Sequence, residues 1–525
     1  MVTGPRVFYS GNIRPGGIKL TVQIMNKGTW TLEMFSLKNQ HIIKRLKDWA
    51  LPLLIPVLFF SLIILVFSTP VFEFNPDEGG NLMKAMLLDQ GYNLYSQIWS
   101  DQPPLFTHAL AWLMHFWGYD VECGRVLVLL SSCLLLWGAF LFLRIAAGTG
   151  QALIGTMVLT WIPHFLQLSY SVMNGLPAMA LAMMALAALA AWHRSHSPML
   201  LILSALLLVL SVLIKVFTIF LFPIFFLGIA LSLYGSNEAG FSCQRYRPAI
   251  LFFSAFAAVL MGLSWLLIGF DNIQALLQPH LLARHVEKYK NITLYTVFRH
   301  HDWQLLFLAL AGSIIAIRQH RWLLLYPVAW ATVAAVILSQ HNPVWTHQLL
   351  LVTVPAAMLV PSTLEAFWKL LKPPINKGFL NWRGAIIVLL IILCFHDATK
   401  LVLRTQARYR VVKTKVVWNW QMAATMAMYA PQTRWVVTDR PMFAFRNGLL
   451  VPPGLAVLSD KRLQTSSLEK QLPQIIRQVQ PEQVALARFQ WPQMLPYLRQ
   501  HYKLVFSAPG LSLFVRSDLV SRLKK

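Results

Sequence analysis

Of 525 residues, 57% are hydrophobic and only 12% carry charge, a balance that excludes an ordinary water-soluble globular domain. Lys and Arg number 45 against 20 Asp and Glu, a formal charge of +25. That excess falls mostly in short loops between apolar runs, where it reads as membrane topology and not as a nucleic-acid footprint, so no nucleic-acid partner is expected.

In chain order, residues 1–48 are polar and irregular and lack the apolar core of a signal peptide, so they read as a cytoplasmic N-terminal tail. Apolar runs of bilayer-spanning length, which takes roughly 20 residues, then recur through residues 49–400. About eleven transmembrane helices are expected, over 51–72, 126–143, 150–168, 175–192, 198–213, 216–234, 249–270, 303–317, 322–340, 348–364 and 384–399. Lys38, Lys44, Arg45 and Lys47 hold the N-terminus inside, and counting from there places the loops with Arg144, Arg194, Arg245, Arg318 and Lys369 inside as well. Four scattered cysteines, Cys123, Cys133, Cys243 and Cys394, imply no disulfide framework and no metal site.

The loop 73–122 therefore lies outside, and it holds Glu73, Asp77, Glu78, Asp89, Asp101, Asp120 and Glu122 against the single basic Lys84. Its opening, EFNPDEGG, predicts a helix start with Asn75 as N-cap, Pro76 at the first helical position and two acids in the first turn. Glu78 stands at the capping-box position. The helix runs through NLMKAMLLDQ and stops at Gly91, with Leu82, Met83, Met86 and Leu87 on its apolar side. Both acids can be read as caps alone. Neighbours at i and i+1 point in different directions on a helix, so one acid can serve the cap while the other faces a cavity. Further along, SDQPPLFTHAL turns at Pro103 and Pro104, and Asp101, Gln102 and His108 are either interfacial polars or part of the same cavity.

Lys215 sits inside LSVLIKVFTIFLFP with no acid near it in sequence. It either snorkels to the headgroups or meets an anion such as a phosphate at the membrane surface. Arg284, Lys288, Lys290 and Arg299 in the outer loop 271–302 can supplement it. HNPVWTHQLLL, from 341, gathers His341, Trp345 and His347 without any acid or cysteine nearby, which favours hydrogen bonding to a phosphate over metal ligation.

Past the eleventh span, KLVLRTQARYRVVKTK at 400–415 is a basic stretch suited to lipid headgroups. The charge rule would keep it inside, whereas the span count puts it outside. Residues 401–525 then turn globular: strand-like RWVVTD and QVALARF flank a helical SLEKQLPQIIRQV, and YKLVFSAPGLSLFVR reads as a hairpin turning at Pro509 and Gly510. The fold class expected is an α-helical polytopic membrane protein with a small C-terminal α/β extracytoplasmic domain.

The acidic pair after the first span, the PPL turn, the mid-chain Lys215 and the HxPxWxH segment together resemble the multispanning GT-C glycosyltransferases. The likeness is to the dolichyl-phosphate-mannose protein mannosyltransferase and lipid A aminoarabinose transferase type. The resemblance implies an inverting transfer of a hexosyl or pentosyl unit from a polyprenyl-phosphate sugar donor to a lipid, glycan or protein acceptor; from the residues, no cofactor and no metal are expected. It implies Asp77 as general base, Glu78 as cap or acceptor-positioning group, and Lys215 with His341 or His347 at the donor phosphate. Asp101, Gln102, His108, Asn174 and Trp345 are the further cavity candidates.

Two positions depart from the pattern: Gln102 stands where a basic residue commonly precedes the prolines, and Asn174 where the family often has another acid. The partners expected are the donor, membrane lipids and an unidentified acceptor, in a bacterial plasma membrane, with the site on the extracytoplasmic side. A transporter or flippase of lipid-linked sugars is the rival reading, although no inverted repeat is visible. A catalytically inactive scaffold is the third.

Overall fold

The computed structural model describes residues 7–14, 17–24, 30–31, 52–65, 71–234, 243–282, 291–300, 303–371, 417–465, 468–489 and 491–522. The chain forms two units, 1–57 and 58–525. In the first, where an irregular tail is expected, β1 (Val7–Arg14), β2 (Gly17–Ile24) and β3 (Trp30–Thr31) form an antiparallel sheet in that order. The missed signal is the alternation of Ile18, Leu20, Val22 and Ile24 with Lys19, Thr21 and Gln23, the two-residue period of a strand.

α1 (Pro52–Leu65) carries the first apolar run. In the acidic loop, α2 (Pro76–Asp89) and α3 (Leu105–Trp117) pack on each other. α4 (Val121–Ala146) starts at Asp120, whose carboxylate accepts the Glu122 amide at 3.1 Å. The expected span 150–168 is interrupted: α5 (Thr149–Thr160) ends at Trp161, and α6 (Pro163–Leu168) begins afresh with proline at its first position. α7 (Gly175–Ser195) and α8 (Pro198–Ile214) follow, then α9 (Leu221–Tyr234), α10 (Cys243–Leu267), α11 (Ile273–Leu282), α12 (Leu294–His300), α13 (Trp303–Arg318), α14 (Leu325–Ser339) and α15 (Leu350–Leu371).

Among the described residues, five helices are long and apolar enough to cross a membrane: Val121–Ala146, Gly175–Ser195, Tyr246–Leu267, Trp322–Ser339 and Thr346–Lys369. Four shorter apolar helices accompany them. The expected span 384–399 and the basic stretch 400–415 lie outside the described residues. α7 is packed between α4 and α8, and its buried Ala178, Ala182 and Ala185 show how small side chains let helices approach closely in a bilayer. Likewise Gly312 lets α13 lie against α15, where a Cβ would overlap the Leu359 carbonyl.

The C-terminal domain has helix α16 over 417–428, α17 (Met442–Phe445), α18 (Asp460–Thr465), α19 (Leu468–Val479), α20 (Leu495–His501) and α21 (Ser517–Arg522). Its four-stranded sheet combines β4 (Val436–Thr438), β5 (Gln483–Leu486), β6 (Tyr502–Ala508) and β7 (Leu511–Arg516) in the order β4-β5-β7-β6. The β6–β7 hairpin turns at Gly510, whose φ of +77° suits glycine. The strands and helix expected in this region stand where the sequence places them.

Candidate active site

Residues 71–73, just before α2, are held by Arg125 from α4 and by Arg440 and Arg446 from the C-terminal domain. Arg446 donates from Nε to Phe72 O at 3.0 Å and from Nη2 to Val71 O at 2.8 Å, while Arg125 Nη1 reaches Val71 O at 3.0 Å. Arg440 Nε donates to Glu73 Oε2 at 2.7 Å. Burial pushes the Glu73 carboxyl up to about 7 despite Arg440, with Glu78 and Asp77 adding to the rise.

α2 starts as its sequence requires. Asn75 Oδ1 accepts the Asp77 amide at 3.0 Å, Pro76 occupies the first helical position, and Gly91 (φ +91°) lies just past the end. The reciprocal capping box does not form: Glu78 Oε2 takes Phe74 N at 3.0 Å, one residue before the cap. Its other bonds explain why. Arg125 Nε and Nη2 fork onto Oε1 and Oε2 at 3.0 Å each, and Val172 N donates to Oε1 at 3.1 Å. With two donors on each oxygen, the fully buried Glu78 is saturated. Arg125 itself lies 4.7 Å from the Phe74 ring centroid and donates from Nη1 to Glu122 Oε1 at 2.8 Å, and Glu122 also accepts Tyr170 OH at 3.0 Å.

Among the described residues, Asp77 has no side-chain hydrogen bond to this cluster. Its side chain stays accessible although protein surrounds it, the situation of a group on a cavity wall. Burial raises its pKa, Arg488 opposes the rise, Asp101 adds to it, and Lys84 and Lys215 oppose it. Lys84 lies two helical turns after Asp77 on the same helix. It is buried, its Nζ is 3.5 Å from Ser100 Oγ, and burial lowers its pKa against the pull of Asp101 and Asp77. Ser100 Oγ and Tyr95 OH both donate to Gln102 O, at 3.1 and 2.9 Å, which fixes the turn that carries Asp101.

Lys215 is neither mid-helix nor at a regular helix end. α8 stops at Ile214, Lys215 is extended (φ −149°, ψ 114°), and a 3-10 turn, Val216–Phe220, follows. Ser211 Oγ pins this break, donating to Ala178 O at 2.7 Å and lying 3.0 Å from Thr218 Oγ1. The Lys215 amine lies 3.6 Å from where a Cβ on Gly175 would stand, next to Asn174. Asn174 Nδ2 in turn donates to Gln102 Oε1 at 2.8 Å. The two positions that depart from the family pattern are thus bonded to each other. The His341 ring meets Phe217 at 5.2 Å, edge to face. His347 lies within electrostatic reach of Lys215 and His164.

Asp77, Asp101, Lys215 and His347 are therefore brought together, with Gln102 and Asn174 beside them. Trp345 contributes its backbone amide, which donates to Gln348 Oε1 at 2.9 Å. His108 stands apart: among the described residues no hydrogen bond joins its side chain to the Asp77 group, and burial lowers its pKa. Arg284, Lys288 and Lys290 lie outside the described residues, as does the Arg299 side chain. Sequence reasoning missed Lys84, Arg125, His164 and Arg488. The seven-residue spacing of Asp77 and Lys84, which puts both on one helix face, was the signal available for Lys84. For Arg488, over four hundred residues away in the chain, there was none.

No family model and no curated protein matches the sequence. Solved structures match the fold. ArnT from Cupriavidus metallidurans in the apo state gives a TM-score of 0.59 at 12% identity, over 88% of this chain and 98% of that one. ArnT from the same organism bound to undecaprenyl phosphate gives 0.55 at 14% identity, over 90% and 99%. The archaeal oligosaccharyltransferase AglB from Archaeoglobus fulgidus, in complex with an inhibitory peptide and a dolichol-phosphate, gives 0.50 at 12% identity, over 90% and 75%. The fold is similar to that of these structures: a polytopic helical membrane protein followed by a small C-terminal domain.

Proposed function

We propose that this chain is an integral membrane glycosyltransferase that moves a sugar from a polyprenyl-phosphate donor to an acceptor hydroxyl on the extracytoplasmic side, with inversion. One observation carries the reading: an accessible carboxylate, Asp77, among Lys215, Lys84, Arg488 and Asp101, beside a Glu78 whose oxygens are fully engaged. The fold likeness supports the donor class, since one neighbour carries undecaprenyl phosphate and another a dolichol-phosphate. As a plasma-membrane protein of many spans, the chain meets such a donor in its own bilayer.

In this mechanism the acceptor oxygen attacks the anomeric carbon, its proton passes to an Asp77 oxygen, and the bond to the phosphate breaks with its electron pair. The raised pKa of Asp77 suits it to take that proton. The departing polyprenyl phosphate is stabilised by Lys215 and the histidine side chains near it. Glu78 serves as a positioning residue that fixes the first turn of α2.

The test is incubation of the purified protein in lipid nanodiscs with radiolabelled polyprenyl-phosphate sugars. Transfer or hydrolysis supports the enzyme, whereas intact translocation in proteoliposomes supports the flippase reading. Asp77→Asn should lower transfer by about 10²–10⁴-fold with normal expression, and full activity in that variant sinks the assignment. Lys215→Ala should weaken binding of the carrier phosphate.

A further inference from the structure

The C-terminal domain meets the acidic loop at several points. Arg440 and Arg446 grip the segment before α2. α17 lies so close to α2 that a Cβ on Gly79 would overlap the Met442 backbone nitrogen. Arg462 stacks 4.9 Å from the Trp99 ring centroid, two residues before Asp101. The domain is therefore fixed to the elements that carry Asp77 and Asp101.

On the same domain, the turn Ala487–Phe489 is clamped by one side chain. Asp439, 3% exposed, accepts the backbone N–H of Ala487, Arg488 and Phe489 at 2.9, 2.9 and 2.6 Å. The Arg488 guanidinium lies 5.0 Å from the Phe489 ring centroid and donates from Nη2 to Asp460 Oδ2 at 2.8 Å. Among the described residues its Nε and Nη1 have no hydrogen-bond partner, and the side chain is 32% exposed. Arg488 is also the strongest opposite charge acting on Asp77. A solvent-exposed ion pair with Asp460 would account for one of these facts and contributes little stability. It does not account for a turn rigidified by three amides that carries an arginine within electrostatic reach of the carboxylate proposed as base.

We infer that the C-terminal domain completes the active site and that Arg488 presents the open edge of its guanidinium to a phosphate group of the substrate held beside Asp77. The identity of that substrate rests on the glycosyltransferase reading. The recognition itself rests on the planar fork, which matches two phosphate oxygens. The phosphate belongs either to the polyprenyl carrier or to the acceptor.

The test uses the full chain in nanodiscs and maps phenylglyoxal modification of Arg488 by mass spectrometry, with the exposed Arg499 as internal reference. Undecaprenyl phosphate is expected to slow modification of Arg488 by about tenfold relative to Arg499, and Arg488→Ala to weaken carrier binding by a similar factor, with Arg488→Lys intermediate. Protection by inorganic phosphate but not by the carrier assigns Arg488 to a phosphate on the acceptor. Protection by neither overturns the inference, and because the mapping uses the wild-type chain, a poorly folded variant does not obscure the outcome. Carrier binding that depends on Lys215 while neither the carrier nor inorganic phosphate protects Arg488 overturns this inference alone. Protection of Arg488 with carrier binding indifferent to Lys215 overturns the donor site proposed above and leaves this inference standing.

Discussion

Arg125 and Glu78 form a bidentate pair at 3.0 Å in which both side chains are buried, 1% and 0% exposed. The pair ties the first turn of α2 to the start of α4. It turns an acid adjacent to the proposed base into part of the scaffold.

Breaking a buried ion pair from one side costs about 3–5 kcal/mol, because the remaining charge is left without compensation. Glu78→Ala and Arg125→Met should each lower the thermal unfolding temperature and lose transfer in proportion to folded protein, whereas Asp77→Asn should lose transfer at an unchanged unfolding temperature. Thermal unfolding in detergent, set beside activity, separates the two. A Glu78→Ala protein with wild-type stability and no activity would place Glu78 on the substrate.

The acidic limb of the transfer rate should lie above the ordinary carboxylate range, since burial raises Asp77 and the base must be ionised to act. Asp101 adds to that rise, so Asp101→Asn should move the limb to lower pH. Lys84 opposes it, so Lys84→Met should move the limb to higher pH. Profiles of kcat/KM for the two variants should shift in opposite directions, and a common direction would show that their charges do not act on the base.

Glu73 gives a stability signature. Its folded pKa of about 7 stands above the ordinary 4.5, so between these values the folded state binds more protons than the unfolded one, and stability falls as pH rises through that window. Glu73→Gln should flatten the dependence between about pH 4.5 and 7. Unfolding temperatures of wild type and variant across that range check the sign, and parallel curves would remove Glu73 as the source.

Much of this was legible in the sequence where the cause is local. Asn75 and Pro76 announce the start of α2 and Gly91 its end, and Pro509 with Gly510 announces the β6–β7 turn. Residues 150–168 read as one span because their apolar content outweighed Pro163, although a proline at a helix start is a boundary signal. The break at Lys215 was legible as the gap between the expected spans 198–213 and 216–234, whereas its extended geometry was not, because apolar composition does not encode backbone angles. What brings Asp101, Lys215 and Arg488 around Asp77 is tertiary packing, which leaves no trace in a single chain's spacing. Asn174 and Gln102 each looked like the loss of a charged residue, and only the structure shows them as a bonded pair.

The close approach of α2 to α17 gives a final prediction. Any side chain at Gly79 meets backbone and not a flexible tip, so Gly79→Val should loosen the C-terminal domain from the acidic loop. Limited proteolysis should then cleave between residues 417 and 522 faster than in wild type, and transfer should fall although Asp77 is intact. Unchanged cleavage and activity would show that the contact relaxes without consequence.

That contact also orders events in time. Asp77 leaves the ribosome several hundred residues before Met442 and Arg488, yet its surroundings close only when they arrive. A nascent chain halted after its membrane helices would hold the proposed base in unfinished surroundings, so on the proposed function transfer would begin only once synthesis has passed through the last domain.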